Sequence, residues 1–276
     1  MIGVCTDSNA QLPEARCAAA GIEVVPITVT LDGVDYLEGV DLDADGFYAA
    51  FAAGRSPTVA TAAPSPARFF EAYRRLVDRG ATEILSVHIG SDVSGTLNSA
   101  RLGAEAAPVR VRLVDTGSAS FAVACASLAA TEAIAAGAGL EEAAAIAEAV
   151  AGRCGNVFTV GTLDLARAGG RLAAGEGSPR GAPVLSLRGG QITSVGSAAS
   201  ALDAARLMAD HVLAAGHRLR VGVGTSDPSS IPVAEALAAR LRAADQVHDI
   251  IAYRVGPSVG AHTGPGTAGA VYHEMA

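Results

Sequence analysis

Lysine is absent from this chain of 276 residues: all 20 basic side chains are arginine. That excludes a Schiff-base lysine and a P-loop lysine anywhere in the sequence. Tryptophan is missing too, and aromatic residues make up only 4%. A core must therefore be assembled from Ala, Val, Leu and Ile. Positive charge is scarce, with 28 acidic residues against 20 basic and a net charge of −8. The chain lacks the basic face that a nucleic-acid partner needs. Cysteine is limited to Cys5, Cys17, Cys125 and Cys154, without a C-x-x-C. Such scattered thiols read as buried side chains in a reducing compartment, rather than as disulfides or metal ligands. No apolar run reaches membrane-spanning length, because Glu and Arg interrupt the Ala-rich stretches. The opening M-I-G-V-C-T-D has no basic n-region and no signal-peptide core. A cytoplasmic protein is expected, with at most transient membrane contact.

Several chemical signatures are also missing. No G-x-G-x-x-G follows a strand, and G-V-G-T-S-D at 222–227 lacks the third glycine, which argues against dinucleotide binding. No G-x-x-x-x-G-K-[ST] exists. Ser94 is preceded by Ser-Asp-Val, so it is not in a G-x-S-x-G elbow. His88, His211, His217, His248 and His273 show no paired metal spacing. No metal or cofactor is expected.

What is present is an alternation of short apolar strands and helices, the signature of a parallel α/β layer. Strands are expected at Ile2–Cys5, Val24–Leu31, Val34–Leu37, Glu83–His88 and Val109–Val114. Asp32-Gly33 supplies a hairpin turn, Asp43 a cap for a helix through Phe51, and Ser65-Pro66 a helix start running to Gly80. Helices are expected at Ser94–Ala107, Phe121–Gly137 and Leu140–Gly152. Composition shifts at Gly152–Gly155, which sets a boundary between units 1–152 and 153–276. The second unit reads as strand Val157–Val160, helix Leu163–Ala168, a Gly-rich loop Gly169–Gly181, and a hairpin Val184–Leu187 with Ile192–Gly196. Helix Ala199–Ala215, strand Leu219–Gly224, helix Ser229–Ala243, and strands Val247–Val255 and Ala268–His273 follow.

Two segments combine polar chemistry with glycine punctuation. Ser94-Gly95-Thr96 follows the apolar run Ile84–Ile89 and opens a helix. Unpaired N–H groups at such a start, with the helix dipole behind them, can hold an anion. Ser94 serves equally well as an ordinary N-cap. His262 sits in G-A-H-T-G-P-G-T, which reads as a loop. Its imidazole can bind an anion, act as a base, or simply be a satisfied structural group. Thr58 and Thr61 occupy a loop spanning Gly54–Pro64, where a hydroxyl can meet a ligand or stabilise a turn. Asp7 and Asp115 each follow a strand and either line a crevice or cap a helix.

In order along the chain, T-D-S-N-A-Q-L-P (6–13), T-A-A-P-S-P (61–66), H-I-G-S-D-V-S-G-T-L-N-S-A (88–100), L-V-D-T-G-S-A-S (113–120), G-T-L-D-L-A-R-A-G-G-R-L (161–172) and G-A-H-T-G-P-G-T (260–267) resemble the motifs of the DegV family. These are the fatty-acid-binding subunits that some bacteria pair with a fatty acid kinase for phospholipid synthesis. The resemblance runs almost end to end. It implies two α/β domains with a ligand tunnel at or near the cleft between them, and no chemistry of the chain's own. It places the ligand carboxylate on Thr61, Ser94 and His262, with the amides around Gly95 and Thr96 close by. A tail of about fifteen methylenes at ~0.8 kcal/mol each offers ~12 kcal/mol gross, before ordering and association costs. The head group needs only a few charge-assisted hydrogen bonds. The chain departs from the family in two places. Ala62 replaces a serine, and the basic run after the hairpin reads S-V-G-S-A-A-S-A-L, uncharged from Ser197 to Ala201. Arg171 and Arg180 are candidates for a substitute basic edge. Two other readings remain: an acyl hydrolase with Ser94 as nucleophile, His262 as base and Asp7 or Asp115 orienting it, and a phosphoryl-transfer domain.

Overall fold

The computed structural model describes residues 1–161, 165, 181–188 and 191–275. The helix expected at Leu163–Ala168, most of the Gly169–Gly181 loop, and Arg171 and Arg180 lie outside the described residues. The chain opens with β1 (Ile2–Asp7), α1 (Glu14–Ala20), β2 (Glu23–Val25), β3 (Thr28–Leu31), β4 (Val34–Leu37), α2 (Ala44–Ala49) and β5 (Val59–Ala62). Next come α3 (Pro66–Asp78), β6 (Glu83–His88), α4 (Thr96–Ala104), β7 (Arg110–Asp115), α5 (Phe121–Ala135) and α6 (Leu140–Arg153). The remainder is β8 (Gly155–Thr159), β9 (Ala182–Arg188), β10 (Gln191–Ala198), α7 (Ala201–Leu213), β11 (Leu219–Thr225), α8 (Ile231–Arg242), β12 (Val247–Arg254), α9 (Pro257–Thr263) and β13 (Ala268–Glu274).

The described residues form three sheets. A parallel sheet has the order β2-β1-β6-β7, and a small antiparallel one the order β4-β3-β5. The third has six strands in the order β10-β9-β8-β13-β11-β12, and only β11 and β12 are parallel neighbours. The second half is therefore a mixed sheet, and it contains the expected hairpin as β9 and β10. The apolar run expected as one strand over Val24–Leu31 is two strands in different sheets. Pro26 lies between them and has no N–H to continue a ladder. The loop expected around Thr61 is strand β5, which pairs with β3 by setting Thr61 opposite Val29. Asp43 caps α2 by accepting from Gly46 N, as expected, whereas Ser65 makes no side-chain cap bond.

The layering follows from α5. This helix buries nine of its first ten residues, from Phe121 to Ala130. A helix apolar all round must be covered all round. One side packs on Val4, Leu85 and Val87 of the parallel sheet, the other on Ile251, Tyr253 and Val271 of the six-stranded sheet. With α6 it forms the middle layer of one continuous core. Helices α3 and α4 cover the outer face of the parallel sheet, through Phe69, Ala72, Tyr73 and Ala100. Helices α7 and α8 cover the outer face of the other, through Met208, Val212, Leu237 and Leu241. Glycine is required at 222 on β11, where Phe121 lies directly over the backbone. Among the described residues no helix is long and apolar enough to cross a membrane.

Candidate functional site

The loops at the carboxyl ends of the parallel strands converge on one cavity. Asn9 follows β1, Ile27 follows β2, Ile89 and Val93 follow β6, and Ser120 follows β7. This is the edge at which open α/β sheets bind ligands. The opposite wall comes from the six-stranded sheet and α9. The cavity holds about 1090 Å³ of space free of protein atoms, its open mouth included. Its lining is mostly aliphatic, with His262, Thr263 and Ser258 of α9 at one side. Lining residues run from Tyr253 on β12 to Ile192 on β10, the two edge strands. Five spacings of about 4.8 Å make that a span of about 24 Å.

His262 is not on a loop. It lies in the last turn of α9, and its Nε2 is 3.4 Å from Thr61 Oγ1 on β5. The Gly-Pro-Gly that suggested a loop instead ends the helix. Gly264 and Gly266 adopt positive φ values of 71° and 77°, and Gly266 N donates to Asp227. Burial pushes the Asp227 carboxyl up, but donors from Gly266, Ser226 and Ser229 outweigh it and hold it below its ordinary value. Helix α4 begins at Thr96. Ser94 Oγ lies 2.8 Å from Thr96 Oγ1 and accepts from Thr96 N at 3.3 Å. Gly95 is the N-cap, exposed, and a Cβ there would lie 3.9 Å from Ala63, just past β5. The fold thus joins Thr61 to His262 and sets the Ser94–Thr96 turn beside the end of the Thr61 strand. Of these five residues, His262 lines the cavity, and Val93 does so next to Ser94.

The aspartates are engaged elsewhere. Asp7, fully buried, holds His88 Nδ1 at 2.9 Å and accepts from Ile89 N and Asn9 N. On its other side His88 Nε2 lies 2.6 Å from Ser86 Oγ. Ser86 also meets the Tyr73 hydroxyl at 3.0 Å. This Ser-His-Asp chain has the connectivity of a hydrolytic triad, yet all three members are 0% exposed and Phe69 packs edge-on against the imidazole. It ties β1 to β6 and offers no entry to a substrate. Asp115 accepts from Ser91 and Gly117. Neither aspartate orients His262, and Ser94 bonds Thr96. Among the described residues no three His, Cys, Asp or Glu side chains gather as metal ligands.

Residue-type reasoning passed over a second polar network that sets the position of α9. Ser120 N donates to Asn9 Oδ1 at 2.7 Å, and Asn9 Nδ2 donates to Ser258 Oγ at 3.2 Å. Ser258 N donates to Glu38 Oε1 at 2.9 Å, while Gln11 Nε2 bonds both Glu38 and Ser258. Ser8 donates to Glu38, and Gln11 accepts from Gly256 N. Burial raises the Glu38 carboxyl above its ordinary value, against the pull of these donors. Ser120 sits at φ 60°, ψ −148°, a region almost confined to glycine. Burial pushes the Tyr253 hydroxyl up to about 12, with a bond to Ser120 opposing it. Asn9 and Ser120 lie inside the quoted motif segments, which was the one available signal.

A parallel sheet and a six-stranded sheet sharing a helical middle layer, with an elongated apolar cavity at the parallel sheet's carboxyl edge, define an α/β protein built around an extended ligand space. The chain belongs to the DegV family, whose sequence profile ("Uncharacterised protein, DegV family") matches residues 1–274. It is 36% identical to a DegV domain-containing protein of Streptomyces coelicolor, over 98% of this chain and 97% of that one. Its fold matches a DegV family protein from Thermus thermophilus studied for fatty acid binding, with a TM-score of 0.87 and 29% identity over 99% of both chains. It also matches a DegV lipid binding protein from Thermotoga maritima, with a TM-score of 0.87 and 25% identity over 99% of this chain and 98% of that one. These relatives are named for binding or for the family, none for a reaction.

Proposed function

We propose that this chain binds a long-chain fatty acid in the cavity, with the carboxylate held by Thr61, Ser94 and His262 and by the amides at Gly95 and Thr96. The observation that carries the reading is the aliphatic cavity with the His262–Thr61 pair at one side of it. An extended apolar space with few polar groups matches a ligand that has one charged end and a long tail. Fatty acid binding by the Thermus thermophilus relative supports the same ligand class. The proposed role is binding without catalysis, in the cytoplasm, with presentation of the acid to a fatty acid kinase. The division into units 1–152 and 153–276 belongs to the same reading, and the separate stretches of chain used by the parallel and six-stranded sheets support it.

Native mass spectrometry of freshly purified protein should reveal a bound fatty acid. Protein that is empty and also fails to take up added fatty acid would refute the reading. A hydrogen bond to a charged group contributes about 1.5–3 kcal/mol, so His262→Ala should weaken binding by about tenfold to a hundredfold. Unchanged affinity removes His262 from the site. The kinase partnership has its own test, since the stretch Ser197–Ala201 is uncharged. A fatty acid kinase should phosphorylate acid delivered by this chain faster than acid delivered by detergent alone.

A further inference from the structure

At the side of the cavity far from α9, β8 and β9 part in an unusual way. The two strands are antiparallel and pair at Phe158–Leu185 and Thr159–Val184. Two residues further along that register, Asn156 stands opposite Leu187. There the Leu187 backbone bonds a side chain instead. Leu187 N donates to Asn156 Oδ1 at 2.7 Å, and Asn156 Nδ2 donates to Leu187 O at 2.8 Å. On its other side, Asn156 remains in register with Val271 of β13. One carboxamide thus takes the place of a backbone pair. A splice of this kind adds two carbon–carbon bonds to the connection, about 2.5 Å. The cavity reaches this place: Asn156, Val157, Phe158, Leu187 and Ile192 all line it.

We propose that Asn156 is a specificity-determining residue: its carboxamide splices β8 to β9, holds the distal end of the cavity open, and so sets the longest acyl chain accepted. The proposal rests on the fatty-acid reading of the site. The run of the strands separates the two ends: His262 ends α9 shortly before β13, whose first residue Ala268 lies opposite Thr159, and Asn156 lies three residues further along β8, about 10 Å away. A carboxylate near His262 therefore directs the tail towards Asn156. The amide donor and acceptor are spent on Leu187, so the group presents little unmet polarity to a methyl terminus. Without the carboxamide, Leu187 N and O regain partners only if β9 closes on the β8 backbone. That closure shortens the space by about 2.5 Å, the length of about two carbons at ~1.2 Å per bond.

The test is competitive uptake of a homologous series of saturated fatty acids, read by native mass spectrometry. Asn156→Val should shift the preferred length about two carbons shorter. Asn156→Gln, which keeps both bonds through one more methylene, should leave the preference unchanged or lengthen it. A wild-type length profile in Asn156→Val overturns the proposal, as does a shortened profile in Asn156→Gln. Wild-type protein gives an answer without any variant. A fatty acid carrying a diazirine at its chain terminus should, on irradiation, label the segments around Asn156–Phe158 or Val184–Leu187. Labelling confined to the Val93 or Val259 segments overturns the inference while fatty-acid binding stands. Wild-type protein that takes up no fatty acid overturns the binding reading and this inference with it.

Discussion

Glu38 offers the sharpest test of how the carboxylate end of the cavity is positioned. It is 6% exposed and its partners are neutral: the Ser8 hydroxyl, the Gln11 amide and Ser258 N. Glu38→Ala leaves Ser258 N–H buried without an acceptor and empties the space of the side chain. Gln11 and Ser8 lose less, because each keeps another bond. An orphaned buried donor costs about 1–3 kcal/mol and the cavity adds to it, for a total of about 2–4 kcal/mol. Glu38→Gln retains the acceptor for Ser258 N and Gln11, so it should fall within about 1 kcal/mol of wild type. The pH dependence separates the two variants further. Burial raises the Glu38 carboxyl above its ordinary value of 4.5, so the folded state holds its proton more tightly than the unfolded state. The stability this contributes is complete below the unfolded value and is lost as pH rises through the folded one. Wild type should therefore lose ground to Glu38→Gln as pH climbs above the ordinary value of 4.5, and converge with it in acid. Urea unfolding of both proteins across that range measures the difference. A gap that does not change with pH would show that Glu38 is not an uncompensated buried carboxyl. Equal stability of the Ala and Gln variants would show that the bonds to α9 carry no energy. Because α9 bears His262, the Ala variant should also weaken fatty acid uptake more than the Gln variant.

Two further substitutions probe the middle layer and the strained loop. Gly222→Ala places a methyl 2.6 Å from Phe121 Cε1 and closer still to Cδ1, which should cost about 1–3 kcal/mol in thermal or urea unfolding. Phe121 stacks on the cavity-lining Tyr253 with ring centroids 4.5 Å apart, so fatty acid uptake should fall as well; a stable variant with normal uptake would refute the proposed tight contact. At position 120 the usual order of residues should reverse: Ser120→Gly should be more stable than Ser120→Ala by about 1–3 kcal/mol, because only glycine relieves the φ 60°, ψ −148° conformation. Differential scanning calorimetry showing the alanine variant equal or better would mean the loop relaxes without strain.

The legible parts of this protein are those where one residue type dictates its own neighbourhood. Asp32-Gly33 makes the β3–β4 turn because the required positive φ values, 49° and 81°, suit those residues. Strand β6 matches the strand expected at Glu83–His88 residue for residue, and the helix expected over Phe121–Gly137 is α5. The helix start at Ser94-Gly95-Thr96 was legible for the same local reason. The misreadings arose where the backbone's partner is distant. The G-A-H-T-G-P-G-T segment read as a loop because its glycines dominate, yet α9 forms where it packs against the β3–β5 sheet and meets Glu38, Gln11 and Asn9, more than two hundred residues earlier in the chain. Asp7, read as a crevice or cap residue, does cap the turn at Ser8–Ala10 by accepting from Asn9 N; what stayed hidden is its bond to His88 across 81 residues, which makes it part of a buried polar chain.

By itself, then, the sequence determined most of the strands and helices, the family resemblance and the absence of P-loop, elbow and dinucleotide motifs, since these depend on short-range propensity and residue identity. Only the tertiary structure decided that Thr61 meets His262 across 201 residues and that α5 serves two sheets at once. It likewise decided that a side chain at Asn156 stands where a backbone pair belongs. Each of these is a hydrogen bond or packing contact between groups far apart in the chain. Periodicity along one strand or helix carries no information about which distant group satisfies a given donor, so the cavity and its limits emerge only when the sheets have closed around α5.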